Sequence, residues 1–127
     1  MLSIPPSTRI FLCTQSVDMR ASFDGLSGMV ERHFGQNPLC GHLFVFFSRR
    51  RDRMKILVWD VDGFILYYKR LEQGTFAWIA DAQMLPGSEI LASDFALLMA
   101  GINPVTSRRQ KRYRRLPESN LSQLSPV

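Results

Sequence analysis

Between Gly41 and Gly74 three apolar runs, Leu43–Phe47, Met54–Trp59 and Phe64–Tyr68, are separated by a basic segment around Arg50–Asp52 and by Asp62-Gly63. Short apolar runs bounded by turn residues predict strands, and three in succession predict an antiparallel meander. Asp-Gly between two such runs predicts a tight hairpin, because a type I′ turn needs positive φ at both central residues. Alternation within the runs is incomplete. Met54, Ile56 and Val58 share one face of the second run, and Lys55, Leu57 and Trp59 share the other. In the third run Phe64, Leu66 and Tyr68 oppose Ile65, Tyr67 and Lys69. An antiparallel sheet with one wet face alternates more cleanly. Both faces are therefore expected to be covered, by helices or by a partner protein.

The flanks supply the helices. Arg9–Thr14 reads as a short strand and Asp18-Met19-Arg20 as a connector. Ser22 is placed to cap a helix running to about Phe34, with Phe23, Leu26, Met29/Val30 and His33/Phe34 as its apolar stripe. Gly35 is its left-handed stop. Gly25 and Gly28 inside this helix each cost about 1 kcal/mol relative to alanine, which a close approach to the sheet would explain. After turn clusters at Gln36–Gly41, Leu71–Gly74 and Met84–Ser88, a second helix is predicted over Ser93–Ala100, starting as early as Ser88. Leu91, Phe95, Leu98, Met99 and Ile102 are its core candidates and Gly101 its stop. Residues 104–127 are rich in Pro, Ser and Arg and predict disorder unless bound. The expected fold is a small α+β domain over residues 1–105. It has a three- to four-stranded antiparallel meander, two helices packed on it, and a basic flexible tail, 106–127.

Composition narrows the class. A chain of 127 residues with 46% hydrophobic residues and nine Phe suits one globular domain. No apolar run approaches the roughly 20 residues of a membrane span. Pro5-Pro6 interrupts a start that carries no secretory pattern, so a cytoplasmic location is expected. Cys13 and Cys40 form no C-x-x-C pair and are expected to be reduced and at least partly buried. The histidines, His33 and His42, lack metal-ligand spacing, and no metal or other cofactor is expected.

Charge is where function becomes legible. The net charge is +5, yet residues 1–105 hold ten basic and ten acidic residues. The excess lies in the tail, at Arg108, Arg109, Lys111, Arg112, Arg114 and Arg115 against Glu118. A second cluster, Arg49, Arg50, Arg51, Arg53 and Lys55, is interrupted only by Asp52. Two local clusters on a neutral body point to a polyanion partner. With Lys69 and Arg70 they make up the candidate nucleic-acid-binding set. Tyr67, Tyr68, Trp59, Phe46 and Phe47 beside Lys55, Lys69 and Arg70 could stack unpaired bases. Strands favour aromatics in any case, so most of these rings read as core, with the Tyr67–Lys69 pair as the exposed exception. Catalytic chemistry is poorly supported. Asp60 and Asp62 flank a turn where Asp is ordinary, and Gly25-x-x-Gly28 lacks the lysine of a phosphate loop.

The segments DMRASFDGLSGMVERHFG, GHLFVFFSRRRDRMKILVWDVDGFILYYKRLEQGTF and LLMAGI together resemble one family. It comprises the TnpB, or Orf-two-like, accessory proteins of bacterial insertion sequences of the IS-66 class. Its pattern runs D-M-R-x-S-F-D-G-L, then G-x-L-F-V-F-x-x-R-R-x-D-R-x-K-x-L-x-W-D-x-x-G-F-x-L-x-Y-K-R-L-E-x-G-x-F. The resemblance covers roughly residues 9–103 and departs after Phe76, where AWIADA precedes Pro86. It implies a non-catalytic role in transposition beside a transposase and a second small accessory protein. It brings no catalytic residues with it. Two readings stay open: a DNA-binding accessory factor acting through the basic clusters, and an adaptor that docks on the transposase without touching DNA.

Overall fold

The computed structural model describes residues 4–76 and 88–102. In chain order they form β1 (Ile10–Leu12), α1 (Phe23–Met29) continued by a π-helical stretch Val30–Phe34, β2 (Leu43–Phe47), β3 (Arg53–Asp60), β4 (Gly63–Arg70), β5 (Ser88–Ile90) and α2 (Ala92–Met99). The strands make one sheet in the order β4-β3-β2-β1-β5. The meander read from the sequence is the β2–β3–β4 half. β1 extends it in parallel with β2, and β5 adds to β1 antiparallel. A parallel pair needs a long crossover, and α1 lies in the connection that provides it. β5 has three residues and no periodicity to reveal it. It is fastened by its Glu89, which accepts from Arg9 Nε and Nη2 at 2.8 and 2.7 Å.

Helical segments cover both sheet faces over β1, β2 and the middle of β3, while β4, at the edge of the sheet, has no fully buried residue. Leu26 and Val30 of the first helical segment bury against Phe11, Phe44, Phe46 and Leu57 on one face. Phe95 and Leu98 of α2, with Phe76, bury against Ile10, Leu12, Val45, Phe47, Met54 and Ile56 on the other. Phe44 anchors the first layer, its ring 5.5 Å from Phe11 and 5.2 Å from Phe34. Phe46 and Phe47, entertained above as a stacking platform, are fully buried. They are core rings on opposite faces, and no base can reach them.

Several local expectations shift. Gly35 and Gly101 do end their helices with φ of 62° and 84°. At Gly101 the N–H reaches Leu98 O (3.1 Å) and the Ile102 N–H reaches Leu97 O (2.8 Å), the paired closure of a Schellman motif. Ser22 occupies the N-cap position of α1, but its hydroxyl makes no capping bond. Phe23 and Leu91 are exposed rather than core, and Cys40 is exposed while Cys13 is buried. α2 begins at Ala92, because 88–90 pair with β1 instead of coiling. A Cβ added at Gly25 or Gly28 would meet Ala21 or the Arg32 guanidinium, not the sheet.

The β3–β4 hairpin is displaced by one residue from the expected turn. Asp60 pairs with Gly63, so the central residues are Val61-Asp62 and Gly63 already belongs to β4. Cross-strand packing sets this register. Leu57 faces Leu66, and Trp59 faces Phe64 with rings 5.1 Å apart; a one-residue slip would turn every side chain to the wrong face. The positive φ (51°) therefore falls on Val61, a β-branched residue 89% exposed, and the Asp62 N–H bonds back to Asp60 O. Left-handed backbone is costly for such a side chain. Val61→Gly is expected to raise stability by about 0.5–1 kcal/mol, the relief exceeding the added chain entropy. The urea midpoint checks this, and a fall would show that the tip is unstrained.

Candidate nucleic-acid interface

The β2–β3 connection is built on Ser48. The Arg51 N–H donates to Ser48 O at 3.0 Å, and the Ser48 N–H donates to Arg53 O at 3.0 Å. Ser48 Oγ accepts from the Arg53 N–H (3.1 Å) and donates to Asp52 Oδ1 (3.2 Å). Arg51 takes φ of 61°, the left-handed residue that follows the turn in longer hairpin loops. The chain leaving β4 then straps the loop, with the Leu71 N–H on Asp52 O and the Phe76 N–H on Arg51 O, both 2.7 Å. Asp52 is occupied in shaping the loop. The loop is thus a fixed platform for the side chains it projects.

Arg49 and Arg50 project from it, exposed. They share a depression of about 330 Å³ with Asp18, Ser48, Asp52 and Arg53. Arg53, at the start of β3, also borders a second depression of about 160 Å³ with Tyr68 and Arg70. Strand register sets Arg53 directly opposite Arg70. Arg70 donates from Nε and Nη2 to Glu72 Oε1 at 3.1 and 3.0 Å. Arg49, Arg50 and Arg53 form no ion pair among the described residues. The fold therefore gathers Arg49, Arg50, Arg53 and Arg70 along one end of the meander.

The remaining members of the sequence-derived set separate from that group. Arg51 is partly withdrawn, and burial pushes its guanidinium pKa down. Lys69 falls on the opposite sheet face, where it lines a groove beside α2. Lys55 is a correction: it is 6% exposed and faces inward. Its Nζ donates to Met19 O at 2.7 Å and Ala21 O at 2.8 Å, and sits 4.6 Å from the Tyr68 ring centroid. No phosphate can reach an ammonium held this way. Arg108, Arg109, Lys111, Arg112, Arg114 and Arg115 lie outside the described residues.

The same contacts explain the Asp18-Met19-Arg20 connector, which sequence reading left without a role. The Ala21 N–H closes a turn on Asp18 O at 3.0 Å. Asp18 accepts the Arg20 N–H at 2.9 Å and the guanidinium through both carboxylate oxygens, the shortest contact 2.7 Å. These hydrogen bonds, the side-chain ones foremost, pull the Asp18 carboxyl from its ordinary 3.8 down to about 2. A depressed folded-state value means the ionised turn is complete above pH 3.8 and is lost as pH falls through about 2. Arg20→Ala is expected to return Asp18 toward 3.8 in an NMR titration. A carboxyl still near 2 in that variant would assign the shift to another cause.

Among the described residues no three His, Cys, Asp or Glu side chains converge as a metal site would require, and no helix is long and apolar enough to cross a membrane. The profile of the family described as "IS66 Orf2 like protein" matches residues 8–109. The chain is similar to uncharacterized protein y4jC of Sinorhizobium fredii (strain NBRC 101917 / NGR234), at 36% identity over 104 residues that cover 80% of this chain and 86% of that one. It is also similar to uncharacterized protein y4hO of the same strain, at 37% identity over 78 residues covering 61% and 68%. No solved structure matches. The matched span takes in every described strand and both helices, with the Asp18–Arg20 turn and the arginine edge among them, and the chain belongs to the IS66 Orf2-like family, the TnpB-type accessory proteins of that class of insertion sequence.

Proposed function

We propose that this chain is a non-catalytic accessory factor of transposition that contacts element DNA, in the cytoplasm, through the Arg49–Arg50–Arg53–Arg70 edge. The reading rests on one observation above all. Three exposed arginines without an ion pair among the described residues adjoin one another, and one of them faces a fourth across the sheet. Such a group attracts phosphates and positions a duplex without reading its sequence. The first helical segment carries Arg32 and His33 only at its π-helical end, and α2 carries no basic residue, so neither resembles a major-groove recognition helix. The tail cations, Arg108 to Arg115, would add sequence-independent affinity.

Anisotropy with element-end and scrambled duplexes, across a salt series, tests the reading. The full chain is compared with one whose six tail cations are glutamine. Each neutralised phosphate contributes about −0.9 to the slope of log K against log salt. A folded edge that engages three or four phosphates keeps a slope of roughly −3 to −4 after the tail is neutralised. A slope near zero in that variant overturns the assignment to the folded edge.

A second reading has its own support. An apolar groove of about 640 Å³ runs between α2 and the β3–β4 hairpin, lined by Ile4, Met54, Ile56, Tyr67, Phe95 and Met99 among others. Apolar surface of this kind suits a protein partner, here a segment of the transposase or of the element's second accessory protein. The double arginine variant treated in the Discussion separates the two readings.

A further inference from the structure

We propose that the Arg53–Tyr68–Arg70 surface is a single-stranded DNA site, where Tyr68 stacks one unpaired base and the two guanidiniums take adjoining phosphates. This rests on the DNA reading above and adds unpaired DNA to what the edge takes.

Register carries the first part of the argument. β3 and β4 pair Arg53 with Arg70 and, one step inward on the same face, Lys55 with Tyr68. Like charges directly opposite across a sheet repel. Glu72 engages Arg70 through a single oxygen, in an exposed pair, and Arg53 has no carboxylate among the described residues. Exposed pairs of this kind are weak. An anion between the two guanidiniums would relieve the repulsion.

Tyr68 carries the second part. It lines the same small depression as the two arginines and is 52% exposed. Lys55 Nζ holds one side of its ring. Tyr68 makes no ring–ring contact among the described residues, unlike Trp59, which packs on Phe64. The ring is thus fixed by a strand and a buried cation, with open surface beside two phosphate-binding groups. Aromatic faces flanked by a basic track are the recurring platform for unpaired bases. A duplex keeps its bases stacked inside and offers Tyr68 nothing to stack on, so the ring adds affinity for single strands alone. The pair singled out from the sequence, Tyr67 with Lys69, lines the groove beside α2, which Tyr68 also borders, but not the arginine depression.

The test uses the full chain in anisotropy titrations against a labelled oligo-deoxythymidine and a blunt duplex of equal length. Tyr68→Ala is expected to weaken single-strand binding about tenfold while leaving duplex binding within about twofold. Tyr68→Phe, which keeps the π-face, is expected to match the parent and guards against loss of fold. Equal losses on both probes, or no loss on the single strand, would overturn the stacking role. A parent chain that binds duplex but not the single strand sinks this inference alone. A parent that binds neither probe sinks the DNA reading with it.

Discussion

Lys55→Met is expected to destabilise the protein by about 3 kcal/mol and to leave the salt slope of DNA binding unchanged. Lys55 points from the sheet toward the α1 side, where its neighbours on the same face of β3 are Arg53 and Leu57. Its ammonium is satisfied by two backbone carbonyls, Met19 O and Ala21 O, and by the Tyr68 ring. Charge-assisted hydrogen bonds are the strong kind. Removing the donor leaves the two carbonyls without the partner that satisfied them. Methionine retains most of the stem's volume, so the loss is polar and not a cavity. Relief of the ammonium's own desolvation keeps the net cost near that of one buried pair broken. Urea unfolding checks this, with a lower midpoint at an unchanged slope. A variant as stable as the parent would show that Lys55 does not pin the 18–22 connector. A reduced salt slope in folded variant would restore the phosphate role that its place in the basic cluster first implied.

Arg50→Ala combined with Arg53→Ala is expected to weaken duplex binding roughly 50-fold near 0.1 M salt and to make the salt slope less negative by about 1.8. Both side chains are exposed, and neither has an ion pair among the described residues. Their loss therefore removes phosphate contacts without unsatisfying anything inside. Stability should hold or rise by a few tenths of a kcal/mol, because Arg53 no longer opposes Arg70. Opposite signs for affinity and stability would mark the edge as built for a ligand. Capture of the transposase decides between the two functional readings. Intact capture with lost DNA binding supports the DNA factor. Lost capture with intact DNA binding favours the adaptor.

Much of this protein could be read from residue order, because its strongest signals are local. Gly35 and Gly101 end helices for a reason any peptide shares, and the β2–β3–β4 meander follows from apolar runs and the short turns between them. The missing polar alternation in β3 and β4 implied two covered faces; the helices cover both faces at the middle of β3, but β4, an edge strand, stays half-buried or exposed. The hairpin tip was misread by one residue, because Asp-Gly is the best local turn while the Leu57–Leu66 and Trp59–Phe64 pairs favour another register. β5 was invisible, since three residues carry no period and its hold on β1 comes from Arg9 and Glu89, distant in sequence.

The candidate site divides along the same line. Charge clustering is a property of the chain and needs no coordinates, so residues 49–55 and 69–70 stood out at once as basic. Which of those cations face solvent depends on strand parity and on what packs above each position. Arg53 and Lys55 lie on one face of one strand, two residues apart. The first opens to solvent opposite Arg70, and the second is covered by the connector that it holds. Lys69 and Arg70 are adjacent in sequence yet serve opposite faces of the sheet. The pattern of apolar and charged positions was enough to predict an α+β domain and a local basic cluster. Sorting one lysine into the interior, one onto the groove and four arginines onto a single ridge required the pairing of β3 with β4 and the seating of residues 18–22, contacts between segments that no local window contains.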